Sequence, residues 1–222
     1  MKRLHKHLIV AAVLVAGFAA ALGSYLLLAP DGRGSKGLDV QPAPEAMPVR
    51  ESSHRLTTPE KSELTIVEFL DFECESCGAY YPVVEKLRGE YGDRVTFVAR
   101  YFPMPGHRNG ELAARTAEAA ARQGKFEEMY AKLFTTQKQW GESQDWKQGV
   151  FRGYAAQLGL DMDQFDAALA DPEVAGRVQD DQRDGLALGV QGTPTFFVDG
   201  ERITNPESYE AFKALIDARL DG

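Results

Sequence analysis

The chain has 222 residues, 44% hydrophobic and 26% charged, which is ordinary for a soluble globular domain and argues against extensive disorder. Acidic residues outnumber basic ones 33 to 25, and the net charge of −8 disfavours nucleic acid and anionic membrane surfaces as general partners. That length accommodates one medium-sized fold plus an insertion or a tail.

Lys2, Arg3 and Lys6 precede an uncharged apolar run from Leu8 to Ala29. A helix of that length crosses a hydrocarbon core of roughly 30 Å. The basic flank places the N-terminus in the cytoplasm and everything beyond Pro30 outside. Residues 1–29 are thus expected to be a membrane anchor or a signal sequence. The small residues of Phe18-Ala19-Ala20-Ala21 offer a cleavage site, after which the protein would be secreted or periplasmic. Either way the remainder meets an environment where disulfides persist. Residues 30–56 are rich in Gly, Pro and isolated charges without periodicity, and read as a flexible linker.

The folded domain is expected over 57–222. "LTIVEFLDF" from Leu64 reads as a buried strand, and Tyr80, Val83, Val84 and Leu87 then recur at helical spacing up to a stop at Gly92. "VTFVARYF" from Val95 is a second strand, which completes a parallel crossover unit. A helical insertion follows over about 107–188. Asn109 is expected to cap its first helix, and Phe126, Met129, Tyr130, Leu133 and Phe134 share one side of the next. Asp161 and Gln164 suggest a capping box. Thr195 to Val198 reads as a strand, Asp199-Gly200 as a hairpin turn and Glu201 to Ile203 as the returning strand, with Asn205-Pro206 opening a last helix. The order βαβ, helices, ββα predicts an α/β fold with one mixed sheet flanked by helices.

The only two cysteines, Cys74 and Cys77, fall where the first strand meets its helix. Backbone N–H groups and the positive end of the helix dipole stabilise a thiolate there, and a spacing of three allows a disulfide. A structural staple closing so short a loop would add little stability. A zinc site would need about four ligands, and His54 and His107 do not complete one. A redox pair is the chemistry that remains.

"VEFLDFECESCGAYYPVVEKL", "GELAARTAEAAARQGKF" and "VQGTPTFFVDG" together resemble the DsbA-like extracytoplasmic thiol-disulfide oxidoreductases of the thioredoxin superfamily, in the right order from Leu64 to the C-terminus. The resemblance implies that Cys74 is the attacking thiol, Cys77 the buried resolving thiol and Pro194 a cis-proline beside them. It also implies that the Thr193 backbone pairs with a substrate strand, with Glu75 and Ser76 at the same surface. Glu68, six residues before Cys74, matches an acid beneath the active site that relays the Cys77 proton, the alternative being an exposed edge position. Relatives that oxidise strongly often carry Pro-His between the cysteines. Here the pair is Glu75-Ser76, and a milder oxidant is expected.

The function expected is donation of the Cys74–Cys77 disulfide to reduced or misoxidised exported proteins. No bound cofactor or metal is needed. A monomer is expected, together with a quinone-linked membrane reoxidase of DsbB or vitamin K epoxide reductase type. A reductase or isomerase, or a passive peptide-binding domain, is the alternative. His107 reads as a surface residue.

Overall fold

The computed structural model describes residues 45–222, which form one compact unit. Strands β1 (His54–Arg55), β2 (Leu64–Leu70), β3 (Val95–Tyr101), β4 (Thr195–Val198) and β5 (Glu201–Arg202) make one sheet of order β1-β3-β2-β4-β5. Helix α1 (Glu75–Tyr91) joins β2 to β3, which run parallel from the Leu64↔Val95 pair to Leu70↔Tyr101. β4 lies antiparallel on the other side of β2, from Ile66↔Val198 to Phe69↔Thr195. Between β3 and β4 the chain inserts α2 (Gly110–Ala121), α3 (Phe126–Thr135), α4 (Gln137–Trp140), α5 (Gln148–Gln157), α6 (Met162–Ala170) and α7 (Pro172–Ala187). Helix α8 (Tyr209–Leu220) closes the chain.

β2 is central and buried at six of its seven positions, so it reads as a continuous apolar run instead of an alternating one. The period of two still sorts its side chains between two cores. Leu64, Ile66 and Leu70 join Val84 and Leu87 of α1 in the large core, while Val67 and Phe69 join Val98, Phe102 and Phe197 in a smaller one. Glu68 shares the parity of Ile66 and Leu70, and is therefore aimed at the face that α1 covers. α2 is the central helix of the insertion, with Ala113, Ala114, Ala117, Ala119 and Ala120 buried against its neighbours. Small side chains let the helices approach closely enough for Phe126, Met129, Tyr130, Leu133 and Phe134 of α3 to be buried together, as their spacing foretold.

Asp199 and Gly200 adopt φ of 47° and 83°, the left-handed pair that a two-residue hairpin turn needs. Asp161 caps α6 by accepting from the Gln164 N–H.

Three local expectations give way to long-range contacts. Asn109 precedes α2 without a side-chain cap bond; its amide instead donates to the Ser143 and Asp145 carbonyls and accepts from the Lys147 N–H. Ser208, not Asn205, caps the final helix, accepting from the Ala211 N–H. The segment from Glu45 to Leu56, assigned by composition to the linker, is tied to the domain. The Met47 and Pro48 carbonyls accept from Arg100, Arg50 pairs with Asp184, and β1 adds an edge strand to β3. A side chain buried in the sheet holds this segment, so its composition carries no sign of it. Among the described residues no helix is long and apolar enough to cross a membrane. The anchor expected over 1–29 lies outside the described residues.

Candidate active site

The chain leaves β2 through Asp71, Phe72 and Glu73 and enters α1 at Cys74, whose extended backbone makes it the N-cap residue. Cys74 is 9% exposed and Cys77, one turn on, is fully buried. The two thiols are not joined. Opposite them the Thr193–Pro194 peptide is cis, and the Cys74 sulfur lies 3.3 Å from the Thr193 carbonyl oxygen. Two segments 119 residues apart thus meet at one sulfur.

The pair is electrostatically asymmetric. The Cys74 thiol is lowered to about 5, first by a hydrogen bond from Cys77 and, against the cost of burial, by Thr193 and the N–H groups of Cys77 and Ser76. Cys77 is pushed well up by desolvation, by its bond to Cys74 and by the charge of Glu68. One sulfur is a thiolate at neutral pH and the other keeps its proton. Ser76 contributes through its backbone, and Glu75 stands exposed at the first position of α1. The buried Thr193 hydroxyl is engaged by no other group among the described residues, which leaves the Cys74 thiolate as the acceptor for its proton. Thr193→Val should therefore raise the Cys74 pKa by about half a unit to one unit, read from thiolate absorbance against pH. An unchanged titration would remove Thr193 from the stabilisation.

Glu68 is 5% exposed, in the central strand and not at an edge. Desolvation first, then the charges of Cys74 and Glu85, push its carboxyl up to about 8. It therefore holds a proton at neutral pH.

His107 is not a free surface residue. Its ring Nδ1 lies 2.6 Å from the Asp71 carboxylate, which with burial opposing raises its pKa. Asp71 also accepts from the Glu73 and Met104 N–H groups, and Glu73 accepts from the Asn109 N–H at 2.6 Å. Both carboxylates are buried, 2% exposed each, and brace the loop that carries Cys74. Asp71 and Glu73 were not expected as site residues, although two acids flanking Phe72 in an apolar run were the available signal. Asn205 donates to the Pro194 carbonyl at 2.7 Å and the Tyr80 hydroxyl to the Pro206 carbonyl, which fixes the cis-proline loop. An open groove of about 640 Å³ runs along it, lined by Gly192 to Thr195 and Arg202 to Asn205. Among the described residues no three His, Cys, Asp or Glu side chains are grouped to hold a metal ion.

The family described as Thioredoxin matches residues 56–218, which takes in the whole sheet from β2 on, the cysteine pair and the cis-proline loop. The chain belongs to the thioredoxin family. A solved structure of a thioredoxin-like oxidoreductase from Silicibacter pomeroyi DSS-3 is 26% identical to this chain, with a TM-score of 0.67 over 81% of this chain and 99% of the other. BdbD from Bacillus subtilis, in its oxidised form, shares the fold at 24% identity and a TM-score of 0.68, covering 80% of this chain and 98% of its own. Alpha-DsbA1 of Wolbachia pipientis shares it at 18% identity and a TM-score of 0.69, over 78% and 93% of the two chains. The fold, helical insertion included, is that of these DsbA-like neighbours. Among curated proteins, the Na(+)/H(+) antiporter NhaA of Herminiimonas arsenicoxydans is 35% identical over 206 residues, 92% of this chain but 32% of the antiporter. NhaA 3 of Salinispora tropica is 37% identical over 171 residues, 77% of this chain and 25% of that protein. The chain spans about a third or less of these relatives, and the likeness is that of a domain.

Proposed function

We propose that this protein is a thiol-disulfide oxidoreductase that donates its Cys74–Cys77 disulfide to cysteine pairs of exported proteins. The observation that carries the reading is the split between the two sulfurs, Cys74 lowered to about 5 and Cys77 raised. A reduced form stabilised as a thiolate makes the corresponding disulfide a good oxidant.

In the oxidised enzyme a substrate thiolate attacks Cys74 Sγ, forming the mixed disulfide and expelling Cys77 as a thiolate. Cys77 cannot stay charged in its buried position, and Glu68, protonated at neutral pH, supplies the proton. A second substrate thiolate then attacks the substrate sulfur of the mixed disulfide. Cys74 leaves as its stabilised thiolate, the substrate has lost two electrons, and the enzyme holds them as a dithiol. The groove beside Thr193 suits an extended substrate strand, which would pair with the exposed backbone there. Reoxidation falls to a quinone-linked membrane partner, and the apolar run of Leu8 to Ala29 would hold the domain beside it, outside the cytoplasm.

The test is the redox equilibrium of the full chain against glutathione buffers, read by thiol alkylation; two cysteines make it unambiguous. The expected potential lies nearer the roughly −120 mV of strong periplasmic oxidants than the roughly −270 mV of cytosolic thioredoxin. A value at or below about −270 mV would mean that the pair delivers electrons, and the oxidase reading would fall.

A further inference from the structure

Helix α4 reaches from the insertion into the active-site loop at one residue. Gln137 is 8% exposed, and its amide nitrogen donates to the Phe72 carbonyl at 2.7 Å and to the Cys74 carbonyl at 2.8 Å. One amide group has two N–H bonds, and both are spent on the loop that carries the sulfur. The Cys74 carbonyl also accepts from the Gly78 N–H, so its peptide plane is held from two sides. That plane begins the turn whose next N–H groups, those of Ser76 and Cys77, face the Cys74 sulfur. The other end of the amide is as closely fitted. A Cβ on Gly78 would lie 2.1 Å from the Gln137 side-chain oxygen, so glycine is required on α1 for the amide to seat. Trp140, fully buried and packed edge-on against Phe151 at 4.8 Å, fixes the helix that presents Gln137.

We infer that Gln137 is a positioning residue for thiol-disulfide exchange, which sets the affinity of Cys74 for its proton by fixing the turn around it. The inference rests on the proposed function, in which the Cys74 thiolate is the attacked and departing sulfur. Gln137 touches neither sulfur. It acts by holding the Phe72 and Cys74 carbonyls on its own amide, which fixes the loop in the conformation that presents the Ser76 and Cys77 N–H groups to the sulfur. The helical insertion is on this account part of the active site's construction as well as a cover for the sheet.

The test is a pH titration of thiolate absorbance on the full chain, for the parent protein, Gln137→Ala, Gln137→Glu and Gly78→Ala, with melting temperatures recorded beside it. Gln137→Ala removes the amide, Gln137→Glu keeps its shape but not its donors, and Gly78→Ala dislodges it from the opposite helix with Gln137 intact. Each should raise the proton affinity of Cys74 about tenfold. The Gln137→Ala, Gly78→Ala double variant should go no further than Gln137→Ala alone, since both act through one amide. Folded variants that melt lower but titrate like the parent would reduce Gln137 to packing and overturn the inference. So would additive shifts in the double variant. The parent protein is also assayed for oxidation of a reduced dithiol peptide; failure there would sink the proposed function whatever the variants do.

Discussion

Arg100→Met is expected to cost about 3–5 kcal/mol of folding stability. Arg100 is fully buried in β3. Its guanidinium meets the Asp181 carboxylate through Nε, Asp184 through Nη2 at 2.7 Å, and the carbonyls of Met47 and Pro48 through Nη1 at 3.0 and 2.7 Å. Removing the cation leaves Asp181, itself fully buried, with Arg177 and the Tyr101 N–H as partners, and frees two carbonyls from the N-terminal segment. Burial raises the Asp184 carboxyl, but Arg50 and Arg100 together hold it below its ordinary value, so losing Arg100 lets it rise. Methionine keeps the aliphatic stem and its packing but loses the guanidinium, so the change removes the charge, its hydrogen bonds and the volume that the group fills. Denaturant unfolding at neutral pH measures the difference, and a loss under about 1 kcal/mol would show that the network is not what holds Glu45 to Leu56 on the domain.

Glu68→Gln should stabilise the dithiol protein at alkaline pH and slow its chemistry at neutral pH. The Glu68 carboxyl ionises near 4.5 when the chain is unfolded but only at about 8 in the fold, where burial opposes the charge. Below pH 4.5 both states are protonated and the contribution is fully present. Between 4.5 and 8 the unfolded chain ionises and the folded one does not, so stability is lost as pH rises. At about 1.4 kcal/mol per pKa unit the loss is on the order of 3–5 kcal/mol by pH 8, and glutamine, which does not ionise, escapes it. Unfolding curves at pH 4.5 and pH 8 should diverge accordingly, with parent and variant close at the lower pH. Because the amide has no proton to give to the departing Cys77, oxidation of a dithiol peptide should fall at pH 7 by about 10²-fold, within the usual range for a lost general acid. A variant that matched the parent in stability at pH 8 and in rate at pH 7 would place Glu68 in contact with solvent and outside the proton path.

Much of the fold was readable because its signals are local. The apolar run of β2, the left-handed Asp199-Gly200 turn and the helical spacing of Phe126 to Phe134 depend on neighbours within one turn or one pleat. The cysteine pair was equally readable, since a helix N-terminus and a spacing of three are local features that already lower one thiol. Local chemistry also misled where a distant partner competed for the same group. Asn109 and Asn205 are good caps, yet each has its amide spent elsewhere, on the 143–147 loop and on Pro194. His107 and the segment from Glu45 to Leu56 look solvent-facing in sequence and are fastened by Asp71 and Arg100.

By itself, then, the sequence determined the strand and helix order, the place of the helical insertion and the position of Cys74 and Cys77 at the start of α1. Tertiary structure alone decided what surrounds the sulfur and the buried charges. Thr193 meets Cys74 across 119 residues, Gln137 meets Phe72 across 65, and Asp184 meets Arg50 across 134. Closing loops of that length costs entropy that only the cooperative burial of the whole core offsets, so no short window of residues records which partner each group will find.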